Sequence, residues 1–114
     1  MLECWPLSIG KKTIQKILDK SKQIDILVNN AGYGLFGALE DISIGAIKKQ
    51  FETNLFGAVR TIKEILPIMR MQRNGIIINV SSISGIVGFP AQSVYVSTKF
   101  ALEGLSEAIS YELK

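Results

Sequence analysis

The chain has 114 residues, of which 47% are hydrophobic and 20% charged, with a formal net charge of +3; this composition suits one globular domain spanning 1–114 and excludes a disordered chain. The charge is too mild and too scattered to mark a nucleic-acid surface, no apolar run approaches the ~18 residues that cross a bilayer, and Met1 to Pro6 lacks the basic start of a signal peptide. A lone cysteine, Cys4, rules out an internal disulfide, and the absence of histidine removes most zinc sites and every histidine-based triad.

The first element, from about Gly10 to Ser21, sets Ile14, Ile17 and Leu18 on one side and reads as an amphipathic helix. Ile24 to Asn29 is a short branched apolar run ending in Asn29-Asn30-Ala31-Gly32, the pattern of a buried strand entering a loop. From Ser43 or Ile44 to Arg70, Phe51, Leu55, Val59, Ile62 and Leu66 recur at helical steps, with Pro67 expected to kink or end the helix. Asn74-Gly75 signals a turn, Ile76 to Val80 a second buried strand, and Ser81 to Gln92 a loop rich in Ser, Gly and Pro. The last helix, from about Gln92 onward, is apolar almost all round between Val94 and Leu105, which predicts burial on more than one side.

Helix, strand, helix, strand, helix is the order of parallel βαβ units with right-handed crossovers. The fold class is therefore α/β, a partial Rossmann-like, doubly wound parallel sheet with two core strands flanked by long helices. Each strand should be covered on both faces and flanked by further strands, as in the middle of a larger sheet.

Without histidine, catalysis must draw on Ser, Tyr, Lys, Asn or carboxylates, in a reducing, cytoplasmic setting and without a metal. Tyr95 and Lys99 stand four apart on the last helix and so share a face. An ammonium held near a phenol favours the phenolate, and a phenol so tuned can exchange a proton with an alcohol–carbonyl pair. Ser82, thirteen residues before Tyr95, follows the second strand, where open α/β sheets place functional groups. Its hydroxyl can hold a substrate oxygen as charge develops there. Ser81 and Ser84 are rivals for that role, with loop hydrogen bonding as their plainer reading. Thr53, Asn54 and Gly57 are poor helix formers within a helical stretch, a local conflict of the kind found at functional sites.

Four motifs in order, Asn29-Asn30-Ala31-Gly32, Asn54 with Gly57, Ser82, and Tyr95-Val96-Ser97-Thr98-Lys99, make the chain resemble the short-chain dehydrogenase/reductase superfamily over roughly residues 10 to 114. The resemblance implies hydride transfer between NAD or NADP and a small-molecule ketone or secondary alcohol. It implies Tyr95 as general acid/base, Lys99 on the nicotinamide ribose and beside Tyr95, and Ser82 on the substrate carbonyl. It further implies Asn54 in a water-mediated proton relay, and Asn30, Ala31 and Gly32 along the cofactor. Gly32-Tyr33-Gly34-Leu35-Phe36-Gly37 formally matches the dinucleotide fingerprint, but the next helix begins too late for a pyrophosphate loop. Asn79-Val80-Ser81 fits a glycosylation acceptor only by chance, at the end of a buried strand.

Departures from the family pattern are as informative. The family's Thr-Gly-x-x-x-Gly-x-Gly phosphate loop, its NAD/NADP-selecting residue and the Asp that holds adenine have no match before Ile24, and Met1 to Pro6 stands where an earlier strand would end. The substrate-covering region has no match after the last helix. The expectation is a catalytic middle section, prone to oligomerise or aggregate through Val94, Phe100, Leu105 and Ile109, and a homo-oligomer built on the two long helices. The alternatives are a catalytically inactive truncated fragment and a non-enzymatic module that dimerises with relatives.

Overall fold

The computed structural model describes residues 7–113, with side chains from residue 11 onward. The predicted strand end at Met1 to Pro6 lies outside the described residues. Helix α1 (Leu7–Ser21) leads to strand β1 (Ile26–Asn29), a loop with a short 3-10 turn at Leu39–Asp41, and helix α2 (Ile44–Phe51). A π-helical turn (Glu52–Phe56) joins α2 to α3 (Gly57–Gln72), which returns the chain to strand β2 (Ile76–Asn79). A second 3-10 turn (Ile83–Gly85) precedes helix α4 (Ser93–Glu112).

The strands pair in parallel, in the register Ile26↔Ile76 through Asn29↔Asn79. A parallel pair needs a long crossover, which the α2–α3 unit supplies. Residues alternate across the sheet. Leu27, Asn29, Ile77 and Asn79 are half-buried toward the helices, whereas Ile26, Val28, Ile76 and Ile78 are 55%, 53%, 54% and 45% exposed. Contacts from α3 and α4 both land on the first set, since Thr61 bonds Asn29 and Ser106 bonds Asn79. Among the described residues, then, helices cover one face of these strands, not the two expected from their continuous apolar sequence.

Three helical expectations also change. Pro67 lies inside α3, which runs on to Gln72. The buried row of the crossover is Gln50, Asn54, Ala58, Ile62, Ile65 and Met69, while Phe51, Leu55, Val59 and Leu66 are only half-buried. The row turned inward is polar in its first half because Gln50 and Asn54 bind backbone there, a need that apolar periodicity does not record. In α4 the buried side chains are Val94, Thr98, Lys99 and Leu102, a single stripe, and Phe100 is 46% exposed. The apolar circumference of that helix is thus half uncovered within the described residues. No helix among them is long and apolar enough to cross a membrane.

Candidate active site

The weak helix formers around Asn54 coincide with the π-turn. The Gly57 N–H reaches back five residues to the Glu52 carbonyl, and the extra residue in the turn carries Asn54 inward. Asn54 is 2% exposed. Its Oδ1 accepts the Tyr33 N–H at 3.0 Å, and its Nδ2 donates to the Tyr33 carbonyl at 2.9 Å and to Thr98 Oγ1 at 3.1 Å. Both amide hydrogens are therefore engaged in clamping the loop after β1 onto the helices. The Thr98 hydroxyl donates onward to the carbonyl of Tyr95 at 2.7 Å. Gln50, one turn before Asn54 and fully buried, donates from Nε2 to the same Tyr33 carbonyl at 2.8 Å. Its Oε1 is buried without a partner among the described residues.

Helix α4 presents Tyr95 and Lys99 one turn apart. Lys99 is 6% exposed, donates from Nζ to the Val80 carbonyl at 3.1 Å, and lies 5.7 Å from the centre of the Tyr95 ring. That distance is within the ~6 Å range of cation–π attraction. The lysine thus ties α4 to the residue after β2 while setting its charge beside the phenol. The Tyr95 ring also meets Phe36 edge-on, with centroids 6.1 Å apart. A 2.9 Å bond from the Gly37 N–H to the Ala91 carbonyl holds the loop carrying Phe36 against the chain entering α4.

Ser82, half-buried, caps the 3-10 turn by accepting the Ser84 N–H on Oγ at 3.1 Å, which leaves its O–H proton available. Its rivals are placed differently. The Ser84 hydroxyl is buried and donates to Gln92 Oε1 at 3.3 Å, and Ser81 Oγ is buried without a partner among the described residues.

Behind the site, a polar ladder spans both strands on the helix-covered face. Thr61 Oγ1 donates to Asn29 Oδ1 at 2.6 Å, Asn29 Nδ2 to Asn79 Oδ1 at 2.8 Å, and Asn79 Nδ2 to Ser106 Oγ at 2.9 Å. Asn79 is committed to this ladder, in keeping with a fortuitous glycosylation pattern. Asn30, Ala31 and Gly32 follow β1 and are exposed. A Cβ on Gly32 would stand 3.2 Å from Asn54 Oδ1 and 3.7 Å from Lys99 Nζ, so the glycine leaves a cradle between an amide and an ammonium. An open groove of about 1250 Å³ runs from Ile14 and Ile17 along β1 past Asn30–Gly32 to Asn54. Ser82 and Tyr95 are not among its lining residues. After the glycines at 32, 34 and 37, the first α-helix starts at Ile44, capped by Ser43 Oγ on the Ala46 N–H; no helix opens within the fingerprint-like stretch.

Sequence reasoning missed Gln50, Thr98, Phe36 and Asn79. The polar pair Gln50 and Asn54 does leave a trace: it interrupts a row that continues as Ala58, Ile62 and Ile65.

A family model described as short chain dehydrogenase matches residues 8–114. An uncharacterised oxidoreductase of Schizosaccharomyces pombe is 47% identical over 91% of this chain and 44% of the relative. The 3-ketodihydrosphingosine reductase of Bacteroides thetaiotaomicron is 44% identical over 90% of this chain and 38% of the relative. Retinol dehydrogenase 8 of Homo sapiens is 47% identical over 80% and 29%, so the chain spans less than half the length of these relatives. Among solved structures, ElxO with NADP bound superposes with a TM-score of 0.93 at 35% identity, over 98% of this chain and 46% of that one. A short-chain dehydrogenase from Streptomyces avermitilis gives 0.92 at 34%, over 98% and 41%. With its parallel βαβ core, its Asn-Asn-Ala-Gly loop and its Tyr-x-x-x-Lys helix, the chain belongs to the short-chain dehydrogenase family.

Proposed function

We propose that the chain is the catalytic section of an oxidoreductase that interconverts a ketone and a secondary alcohol with NAD or NADP. The observation that carries this reading is the meeting of Lys99 with the Tyr95 ring on one side and the Gly32–Asn54 cradle on the other. A ribose diol fits that cradle, because Lys99 Nζ offers donors and Asn54 Oδ1 an acceptor around the space a side chain would fill. The bound dinucleotide supplies or accepts the hydride. In the reducing direction the Tyr95 hydroxyl passes its proton to the substrate oxygen as the carbonyl carbon gains the hydride. The Ser82 O–H donates a hydrogen bond to that same oxygen, and Lys99 holds positive charge beside the phenolate left behind. Asn54, with its side-chain donors committed, acts by holding the Tyr33 loop to Thr98 and hence to Tyr95. Relatives named 3-ketodihydrosphingosine reductase and retinol dehydrogenase 8 carry a ketone and an alcohol in their names. That supports carbonyl–alcohol interconversion here, and the first of them a ketone.

The test is loss of nicotinamide absorbance when the chain is mixed with NADH or NADPH and a panel of ketones. Because the family's phosphate loop has no match before Ile24, dinucleotide binding is expected to be weak and turnover slow, with Tyr95→Phe lowering that turnover at least ~100-fold, the lower range for a general acid. Absence of turnover with every ketone at saturating dinucleotide, or turnover that Tyr95→Phe leaves unchanged, overturns the reading.

One observation favours a second reading, a module that pairs with another copy: the exposed row Ile26, Val28, Ile76 and Ile78. It predicts a defined dimer by sedimentation, and a monodisperse monomer removes it.

A further inference from the structure

We propose that the site takes a substrate with an extended, uncharged apolar body, a long-chain or polycyclic ketone or secondary alcohol, and turns away polyols and carboxylates; this rests on the oxidoreductase reading above.

The argument starts from the two segments that frame Tyr95 and Ser82. Neither the loop from Asn30 to Leu39 nor the stretch from Ser82 to Thr98 contains a single charged residue. The apolar side chains of these segments stand out from the protein: Phe36 is 62% exposed, Leu39 60% and Ile83 64%. An exposed apolar patch marks a binding surface where such side chains gather around one spot. Its position is fixed by three observations. Phe36 packs edge-on against the Tyr95 ring, Ile83 directly follows Ser82, and the Gly37–Ala91 bond holds the two segments together.

The polar groups at this mouth are few and sit at one end. The Ser82 O–H proton is available, and the Tyr95 hydroxyl has no partner among the described residues. They can anchor one oxygen. A polyol would bring further hydroxyls against Phe36 and Ile83 with no partner to receive them, which is unfavourable. A carboxylate would find no exposed cation there, because Lys99 is buried and its Nζ is taken up by the Val80 carbonyl and the Gly32 cradle. Glu103, the next charged residue on α4, lies against Gly85 two turns beyond Tyr95, and its sign repels a carboxylate. One anchored oxygen followed by an apolar surface matches a molecule with one oxygen and an apolar body.

Ligand-observed NMR on the full chain tests this without dinucleotide and without turnover, so the outcome is separate from that of the reductase assay. The probes are methyl decyl ketone, acetone, dihydroxyacetone and pyruvate. Methyl decyl ketone is expected to bind at least tenfold more tightly than any of the other three. Phe36→Asn and Ile83→Asn, both at exposed positions, are expected to weaken its binding at least fivefold. Met71→Ser, at an exposed position on α3, controls for loose association with apolar surface and is expected to leave that binding unchanged. Dihydroxyacetone or pyruvate binding as tightly as methyl decyl ketone overturns the proposal. So does insensitivity to both Asn variants, or an equal effect of Met71→Ser. If Phe36→Asn instead dissociates a dimer and leaves ketone binding intact, the patch seats a second copy and the proposal fails.

Discussion

The two faces of the β1–β2 pair are built from the same strands by opposite rules. Toward the helices, Asn29 and Asn79 bond each other and extend to Thr61 and Ser106, while Leu27 and Ile77 pack beneath α3 and α4. On the other side, Ile26, Val28, Ile76 and Ile78 stand as a bare apolar row. The polar residues are inside and the apolar ones outside, the reverse of a solvated sheet. The inward amides are tolerated because each finds a partner, and unpaired they would be costly. The outward isoleucines and valine have the character of a strand meant to be covered on both faces.

The comparison is sharpest where the polar network is densest. Asn54→Ala would remove three hydrogen bonds, leaving the Tyr33 N–H without a partner and the Tyr33 carbonyl with only its bond from Gln50. Stability to urea should fall by about 3 kcal/mol. The ladder offers a second break. Asn79→Leu alone strands Asn29 and should cost about 2 kcal/mol, and Asn29→Leu alone should do the same. The double variant should be close to neutral, because Thr61 can turn its one proton to the Ala58 carbonyl, Ser106 keeps its bond to the Leu102 carbonyl, and no buried amide is left over. Simple additivity in that cycle would mean that the cross-strand bond contributes nothing.

Substituting across the sheet then contrasts the faces directly. Ile77→Thr, toward the helices, should lower stability by roughly 1.5 kcal/mol, and Ile78→Thr, one residue on, by under about 0.5. Equal losses at the two positions would show that a second copy or another segment covers the bare face in solution. The smallest effect lies away from the sheet. Arg73 ends α3 with φ 54°, its N–H on the Arg70 carbonyl and the Asn74 N–H on the Met69 carbonyl. This is the Schellman arrangement, whose left-handed residue is ordinarily glycine. Arg73→Gly should therefore raise stability by about 0.5–1 kcal/mol, seen as a higher thermal midpoint.

Much of the fold was legible. Branched runs and helical spacing located both strands and the long helices to within a few residues, because those patterns depend on neighbours in the chain. The inward row of α2–α3 was misplaced, and the reason is specific. Periodicity favours the row of Phe51, Leu55 and Val59, whereas burial follows Gln50 and Asn54 to the Tyr33 backbone, a contact made by a residue 21 positions before Asn54. By sequence Pro67 is expected to kink or end the helix; it does not end it, since α3 runs on to Gln72. The proposed chemistry was legible at Tyr95 and Lys99 because a four-residue step on a helix dictates a shared face. Phe36 against Tyr95 was not, since nothing local links a loop after β1 to the start of α4.

Sequence alone determined the helix–strand order, the parallel pairing it entails, and the shared helix face of Tyr95 and Lys99. Those features follow from residue identity and short-range spacing. Tertiary structure decided which serine keeps an available proton, where the Asn54 amide is engaged, and which strand face lies bare. Each of these depends on hydrogen bonds and packing between segments far apart in the chain, which come together only when the helices close over one side of the sheet.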